Sequence, residues 1–307
     1  MTASRLPLHA DARLFQSARA AFHALLADGK PRRVWMPRYI CDAMISPLTQ
    51  AGITHEFYEL DDNLGVASSL TIGKADWLLY VNYFGICTVQ EAALSTRFDP
   101  SQIVFDRSQA LFAKPINCLA EIYSPRKFFG LPDGGMLKSS LSLPSPAEMD
   151  AGSIARCTHL LKRLDSTPED GYADFQHAEQ TLADTSPKQM SNLTKSLLRS
   201  QDHDDARRRR NENFRSLHER LKPLNELPID VNAIDGPLCY PLLADGAVLR
   251  ARLQAARVFV PTYWPEVTAR SASGSIEVAL TSRCLPLPCD QRYDQHDMAR
   301  IADLLCP

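Results

Sequence analysis

The 307-residue sequence predicts an α/β protein with a mostly parallel sheet, followed by a helical connection and a small α+β domain. Three observations support this fold class. Helical apolar periodicity alternates with short apolar runs over residues 10–123, at the spacing of βαβ units. After residue 145 helical patterns predominate, and short strand and helix patterns return near the C-terminus. We place a large domain at residues 1–200, and a long helix with the small domain at residues 201–307.

The first half of the chain alternates helices and strands. Apolar residues recur at helical spacing over residues 10–28, and the following Gly-Lys-Pro predicts the end of that helix. The run WLLYVNY is almost entirely apolar, as in a strand covered on both faces. The elements predicted next are a strand at 33–36, a helix at 41–51, and strands at 54–60, 77–83, 103–105 and 120–123.

The second half is mainly helical. We predict helices at 147–164, 172–183 and 190–221, a strand at 238–243, a helix at 247–256, a strand at 258–260 and a last helix at 295–305. Pro241 would confine its strand to a sheet edge or a bulge, because proline cannot donate a hydrogen bond to the ladder.

Composition excludes several classes of function. The net charge of -2 gives no reason to expect nucleic acid or an anionic membrane as a partner. The basic run at residues 207–210 follows three aspartates, which favours a solvated helix face. The eight cysteines form no CxxC pair or zinc spacing, so no metal site is predicted and buried thiols in a reducing compartment are expected. With no secretory signal and no long apolar segment, the sequence predicts a cytoplasmic protein.

Two stretches carry the groups that pyridoxal phosphate chemistry requires. VFDRSQA (104–110) places Asp106 at the end of an apolar run and Gln109 one helical turn later. EIYSPRKFFGLPDGG (121–135) places Ser124 and Lys127 in a tight turn before a glycine pair. Together they offer an amine for a Schiff base, an acid for the pyridinium nitrogen and a hydroxyl for the phosphate.

These stretches belong to a longer series. Six segments match in order across nearly the whole chain: FQSARAAFHALL, VWMPRYICDAMISPLTQAG, VNYFG, VFDRSQALF, YSPRKFFGLPDGG and PLPCDQRYDQHDMARIADLL. The series resembles the DegT/DnrJ-type nucleotide-sugar aminotransferases, which share the aspartate aminotransferase fold (PLP-dependent transferase fold type I). The resemblance implies a large domain with a seven-stranded, mostly parallel sheet, a small C-terminal α+β domain, and pyridoxal 5′-phosphate (PLP) as cofactor.

The resemblance assigns three roles on the cofactor ring. Lys127 corresponds to the lysine that forms the Schiff base; the alternative is a surface lysine in a turn. Asp106 corresponds to the carboxylate that keeps the pyridine nitrogen protonated; the alternative is a strand-terminal aspartate that caps the next helix. Gln109 corresponds to the residue that hydrogen-bonds the phenolic oxygen of the ring.

The phosphate-binding residues follow the family less closely. Ser124 resembles the family's phosphate-binding serine, although its spacing to Lys127 is shorter than usual. Other donors are expected from Ser17 and Ala18 at the N-terminus of the first helix, where free N–H groups and the helix dipole favour an anion. Arg19 stands where relatives commonly have the threonine of a Gly-Thr pair, and it either supplies a charged donor or covers the surface.

Other positions depart from the family pattern. Cys41 occupies the position of the aromatic residue that stacks on the cofactor ring in many relatives, and Tyr39 is the nearest aromatic candidate. The Asn-Tyr-Arg motif by which a partner subunit reaches the phosphate is not recognisable near Lys188, the only charged residue there. Tyr263 and Trp264 belong either to a substrate pocket or to the core of the small domain.

The resemblance implies an aminotransferase that moves an amino group, from glutamate, to a nucleotide-linked keto-sugar. Such sugars serve surface polysaccharide or secondary-metabolite biosynthesis. It also implies a homodimer whose active sites lie at the two-fold interface. Two alternatives stay open. One is a PLP-dependent sugar lyase or dehydratase, which is disfavoured because Lys127 is not the histidine that dehydrating relatives commonly carry. The other is a catalytically idle PLP-binding regulatory protein.

Overall fold

A seven-stranded, mostly parallel sheet forms the centre of the molecule. The computed structural model describes residues 8–167 and 169–306. Its large sheet comprises β1 (Arg13–Phe15), β2 (Arg33–Pro37), β3 (Thr54–Tyr58), β4 (Asp76–Val81), β5 (Ile103–Asp106), β6 (Ala120–Tyr123) and β7 (Gly135–Ser139). The strand order is β1-β7-β6-β5-β4-β2-β3. Only β7 runs antiparallel to its neighbours, β1 and β6, and every other pair is parallel. The predicted sheet is therefore confirmed.

Helices connect these strands and surround a second, smaller sheet. The α-helices are α1 (Ala18–Gly29), α2 (Ser46–Ala51), α3 (Thr88–Arg97), α4 (Ser153–Arg156), α5 (Thr158–Asp165), α6 (Tyr172–Thr181), α7 (Asn192–Ser200), α8 (His203–Leu221), α9 (Gly246–Ala255), α10 (Val267–Arg270), α11 (Ile276–Arg283) and α12 (Gln295–Leu305). The small sheet pairs β8 (Tyr240–Leu243) with β9 (Cys284–Leu287). In the described residues, no helix combines the length and apolarity needed to span a membrane.

The large core explains the apolar runs of the sequence. All six residues of β4 are buried, because the strand lies in the interior of the sheet with chain packed on both faces. Helix α1 packs against the sheet through Phe22, Leu25 and Leu26, whose side chains are completely buried. This packing fixes the first turn of α1 beside the strand ends.

A second core lies around β8 and β9. Phe214 and Leu217 of α8 pack with Tyr240, Leu285 and residues of α12 in one apolar cluster. Pro241 lies opposite Pro286 in this two-stranded sheet. Both strands are edge strands, so the N–H groups that the prolines lack are not needed by a further strand. The predicted α+β character of the C-terminal part is confirmed, and the domain boundary at residue 200 stays a prediction.

The beginning of the chain differs from its predicted helix. Residues 13–15 form β1, and α1 begins only at Ala18, after Ser17. The hydroxyl of Ser17 accepts a hydrogen bond from the Ala20 N–H at 3.1 Å, which is the bond of an N-cap residue. Residues 13–15 extend because they pair with β7, more than 100 residues away along the chain.

Four further predictions need correction. The predicted helix at 41–51 is a short 3-10 turn followed by α2, and that at 147–164 is reduced to α4 and α5. The predicted helix at 190–221 is interrupted, because Gln201 is extended and the Asp202 side chain caps α8. Residues 258–260 form no strand; the carbonyl of Val260 accepts a hydrogen bond from Arg250 instead. The sequence patterns gave no range for β1, β7, β9, α3, α10 or α11.

The basic run on α8 is solvated only in part. Arg208 and Arg209 pair with Asp205 on the same helix, as expected for an exposed face. Arg210, by contrast, is 2% exposed and donates hydrogen bonds to the carbonyls of Pro237 and Leu238. The run therefore joins α8 to the segment that precedes β8.

Candidate functional site

One cavity lies at the carboxyl edge of the large sheet. The chain leaves β1, β2, β4, β5 and β6 at this edge, where open α/β sheets place their ligands. The cavity has a volume of about 440 Å³. Its lining comprises Ser17, Ala18, Arg19, Ile40, Cys41, Ala43, Met44, Val81, Asp106, Ser108, Gln109, Ser124, Arg126, Lys127, Phe175, Glu179, Leu238, Tyr263 and Trp264. Eight of the nine predicted site residues are in this set.

Asp106 is the last residue of β5 and points one carboxylate oxygen at the following turn. This oxygen accepts a hydrogen bond from the Ser108 N–H at 2.8 Å. In the described part of the chain, no residue donates to the other oxygen. The carboxylate is 4% exposed, so it is both fixed by its own turn and left with free acceptor capacity at the cavity wall.

A buried ion network holds this turn in place. Arg107 is 1% exposed and binds Glu91 of α3 through two hydrogen bonds, of 2.9 and 2.8 Å. Its third nitrogen donates to Glu121 of β6. Burial raises the pKa of Glu91, although the charge of Arg107 acts in the opposite direction. The network ties β5 to β6 and α3, and so fixes the direction of the neighbouring Asp106.

Gln109 is oriented by a strained segment after β4. Its side-chain oxygen accepts a hydrogen bond from the Phe84 N–H at 2.6 Å, which leaves the amide nitrogen as the donor toward the cavity. Phe84 has a φ of +58°, a conformation that bulky residues rarely adopt. The next residue, Gly85, must be glycine, because a Cβ there would lie 2.6 Å from the Gln109 carbonyl oxygen.

Lys127 ends the 3-10 turn Pro125–Lys127 that follows β6. Its side chain is exposed and lines the cavity. Throughout residues 8–167 and 169–306, no carboxylate pairs with its amine. The backbone of the turn is fixed, since the Lys127 N–H donates to the Ser124 carbonyl at 3.2 Å. Lys127 therefore presents an amine without an ionic partner, on a backbone that is fixed by the turn.

The N-terminus of α1 meets the glycine pair that follows Lys127. Ser17 forms a bridge with Gly134, whose N–H donates to the Gln16 carbonyl at 2.7 Å. A Cβ on Gly135 would lie 2.2 Å from the carbonyl carbon of Ser17 and 2.4 Å from the nitrogen of Ala18. Only glycine permits this approach. The free N–H groups of the first turn of α1 thereby reach the cavity beside Ser124.

Two arginines and one carboxylate meet at the same end of the cavity. Arg19 of α1 and Arg126 of the lysine turn both bind Glu179 of α6, the Arg19 contact being 3.3 Å. Burial raises the pKa of Glu179, but the two guanidinium groups outweigh it and hold that pKa below its ordinary value. Arg19 is thus a cavity residue rather than a surface residue. The guanidinium pair makes this end of the cavity suited to an anion.

Of the aromatic residues considered from the sequence, Tyr263 and Trp264 line the cavity and Tyr39 does not. Tyr39 is completely buried and does not line the cavity; its ring contacts Trp264, with ring centroids 4.6 Å apart. The structure thus does not bring Tyr39 to the position of a stacking residue. Cys41 does line the cavity, and burial raises the pKa of its thiol although nearby Lys127 acts in the opposite direction. Tyr263 and Trp264 form an aromatic wall, and Trp264 has a strained φ of +53°.

Several cavity residues were not predicted from the sequence. Arg126 and Ser108 lie inside the two motifs, so their positions were visible although their roles were not. Phe175 and Glu179 lie on α6, some 50 residues after Lys127, and no local signal relates them to the motifs. Lys188 does not line the cavity; its backbone pairs with Gln16, next to Ser17. Among the described residues, no group of His, Cys, Asp and Glu could hold a metal ion.

Comparison with known proteins shows the fold. The chain matches no protein-family profile and no curated protein sequence. Among solved structures it is similar to the sugar aminotransferase CalS13 from Micromonospora echinospora, at 13% identity, over 96% of this chain and 86% of that chain, with a TM-score of 0.65. It is also similar to DesI, solved in the presence of its TDP-sugar product, at 18% identity, over 96% and 79% of the chains, with a TM-score of 0.63.

A third similar structure is Spr1654 from Streptococcus pneumoniae in its PLP form, at 14% identity, over 95% of this chain and 85% of that chain, with a TM-score of 0.67. The predicted fold is therefore confirmed over nearly the whole chain. At these identities the likeness extends to the path of the backbone, and the chemistry must be argued from the cavity itself.

Proposed function

We propose that this protein is a PLP-dependent sugar aminotransferase of the DegT/DnrJ type. The observation that carries the proposal is the meeting of an unpaired lysine amine, a buried carboxylate and a guanidinium pair in one cavity. The cavity lies at the carboxyl edge of a sheet with the fold of known sugar aminotransferases. These groups fit the aldehyde, pyridine nitrogen and phosphate of PLP, in that order.

Lys127 attaches the cofactor and moves protons. When bound, PLP supplies an electron-accepting ring conjugated to the amino group of the substrate. The amine of Lys127 has no ionic partner in the described part of the chain, so no salt bridge must break before it reacts. The same amine would be placed to carry a proton to and from the α-carbon of an amino donor.

Asp106 and Gln109 would hold the cofactor ring. The oxygen of Asp106 that its own turn does not engage would accept from the protonated pyridine nitrogen, and the negative charge would keep that proton in place. The Gln109 amide nitrogen would donate to the phenolic oxygen, since the amide oxygen of Gln109 is engaged by Phe84. Both residues are almost fully buried, so water competes little for these bonds.

The phosphate end uses both backbone and side-chain donors. We assign it to Ser124, to the N–H groups of Ala18 and Arg19 after the N-cap Ser17, and to the Arg19 guanidinium. An α1 of 12 residues directs its positive dipole end at this point. A charged guanidinium compensates for the hydroxyl that relatives commonly carry there.

The substrate side is the aromatic wall. We propose a nucleotide-linked keto-sugar as amino acceptor and glutamate as donor, in surface polysaccharide or secondary-metabolite biosynthesis. The TDP-sugar product in the DesI structure supports this substrate class. Tyr263 and Trp264 offer flat apolar faces at the cavity wall, as sugars and nucleobases prefer.

A spectroscopic experiment tests the proposal. Purified protein is titrated with PLP while the visible absorption of lysine-bound PLP is followed, and glutamate is then added. We expect glutamate to convert the cofactor to pyridoxamine phosphate with release of 2-oxoglutarate, and a panel of nucleotide-linked keto-sugars to restore the first spectrum. Cofactor that binds but never responds to any amino donor would instead support the idle PLP-binding protein.

A further inference from the structure

The carboxylate of Glu179 lies where an anionic ligand would meet the two arginines. Arg19 comes from the first turn of α1 and Arg126 from the turn that carries Lys127, and both bind this one side chain of α6. We propose that Glu179 is an internal competitor of the cofactor phosphate: it occupies the guanidinium pair in the free protein and leaves it when a phosphate monoester binds. This inference rests on the proposed function.

Charge balance supports displacement rather than joint binding. Two guanidinium charges face one carboxylate charge, which leaves a single positive charge for a ligand whose phosphate carries nearly two negative charges. The pKa of Glu179 is lowered, since the two arginines outweigh the effect of burial, so the side chain is ionised at neutral pH. A phosphate beside an ionised Glu179 would experience like-charge repulsion in a partly shielded site.

The hydrogen bonding of the pair is also incomplete. Arg126 and Arg19 each use one terminal nitrogen for Glu179. The Nε of Arg126 is buried and has no acceptor among the described residues. A carboxylate offers two oxygens, whereas a phosphate monoester offers three and can accept from both guanidinium groups and from the helix N-terminus together. The phosphate is therefore the better acceptor for this set of donors.

The side chain of Glu179 can leave the two arginines without a change in the fold. Its side chain is 35% exposed, so it can turn toward water without displacement of α6. The helical segment that contains α4 and α6 is attached to the rest of the molecule by contacts that do not involve Glu179. Arg156 of α4 is buried and binds Asp150 and the carbonyl of Pro132. Release of Glu179 thus requires a side-chain rotation and leaves this anchor intact.

Binding of PLP and of pyridoxal, which lacks the phosphate, tests the inference. Dissociation constants are measured by absorption and intrinsic fluorescence for the wild type and for Glu179→Gln. Glu169→Gln is the matched control, because Glu169 makes an exposed ion pair with Arg257 away from the cavity lining. We expect Glu179→Gln to bind PLP about tenfold or more tightly, in line with removal of a like-charge contact. Pyridoxal affinity, and both affinities of the control, should stay unchanged.

Other results would overturn the inference. Weaker PLP binding by Glu179→Gln would mean that Glu179 holds the arginines in place for the phosphate, and equal binding would mean that it does not compete. If the wild type binds no PLP, the proposed function fails. The inference is then decided by inorganic phosphate: thermal stabilisation by phosphate must be larger for Glu179→Gln than for the wild type, and any other order refutes it. Circular dichroism verifies that the variants are folded.

Discussion

At the scale of single residues, the cavity is defined by bonding capacity that the protein itself does not use. The amine of Lys127, one oxygen of Asp106 and the amide nitrogen of Gln109 all face the cavity without a partner among the described residues. Asp106 and Gln109 are almost fully buried, and side chains in such positions normally have their hydrogen-bonding capacity satisfied, so free capacity there, beside an unpaired lysine amine, indicates a ligand.

Replacement of Lys127 by alanine should abolish covalent attachment of PLP while the protein stays folded. The cavity lining contains no second lysine, and Lys138 is paired with Asp11. Borohydride reduction of the PLP-loaded wild type, followed by peptide mapping, should label Lys127 alone. A label on Lys114 or Lys138 would refute the assignment.

Asp106→Asn should lower turnover by about 100-fold or more, the typical loss when a group that stabilises transition-state charge is removed. An amide cannot keep the pyridine nitrogen protonated, whereas the lysine and phosphate contacts are unchanged, so PLP affinity should fall much less than turnover. Single-turnover kinetics with glutamate and equilibrium titration with PLP measure the two effects. Near-normal turnover would show that Asp106 only stabilises the turn that follows β5.

At the scale of elements, the site depends on how closely α1 approaches β7. The glycine at the start of β7 lets the α1 N-terminus lie directly against that strand, so that both α1 and the turn of Lys127 line the cavity. The buried ion network of Arg107 likewise fixes the end of β5, where Asp106 lies. Strand ends and one helix N-terminus, rather than a flexible loop, therefore set the distances across the cavity.

Gly135→Ala should destabilise the protein and weaken PLP binding together. The added methyl group would overlap the Ser17–Ala18 peptide, so α1 must shift, at a cost of about 1–3 kcal/mol. Gly130→Ala is the matched control, because the nearest atom to a Cβ there is Leu160 Cδ2, at an ordinary 3.7 Å. Urea unfolding and PLP titration measure the two effects. Equal behaviour of the two variants would contradict the role of the close approach.

At the scale of the whole molecule, distant parts of the chain line one cavity. The aromatic wall of Tyr263 and Trp264 follows α9 in sequence, yet both rings pack on the large core. That wall and the turn of Lys127 are more than 130 residues apart in the chain, and the large core holds them at the same cavity.

The chain should form a homodimer when loaded with PLP, because enzymes of the type it resembles build each active site at a two-fold interface. We expect the N-terminal helix and the region near Lys188 at the interface, because both should lie beside the cofactor phosphate. One face of α1 is buried in its own chain, and Lys188 is half-buried beside Gln16. Light scattering at micromolar protein concentration measures the mass. A monomer that still transaminates would contradict the shared-site arrangement.

The sequence alone determined the features that local chemistry specifies. The apolar runs of β4 and β5 and the helical periodicity of α1 and α12 predicted those elements, because burial of one face or of both leaves a short-range pattern. Asp106, Gln109, Ser124 and Lys127 were predicted from two motifs of a few residues each. Their common position in one cavity follows from the parallel strand order, since consecutive parallel strands end at the same edge.

Only the tertiary structure decided the contacts between distant segments. Residues 13–15 are a strand because β7 pairs with them. The break in the predicted helix at 190–221 is, by contrast, local, because Asp202 caps α8 with a hydrogen bond to the backbone three residues later along the chain. Tyr39 is buried and does not line the cavity, whereas Glu179 of α6 does. The periodicity of a sequence shows which face of a helix or strand is buried. It does not show which distant segment packs there, because that choice depends on contacts between residues more than 100 positions apart and on the directions of individual side chains.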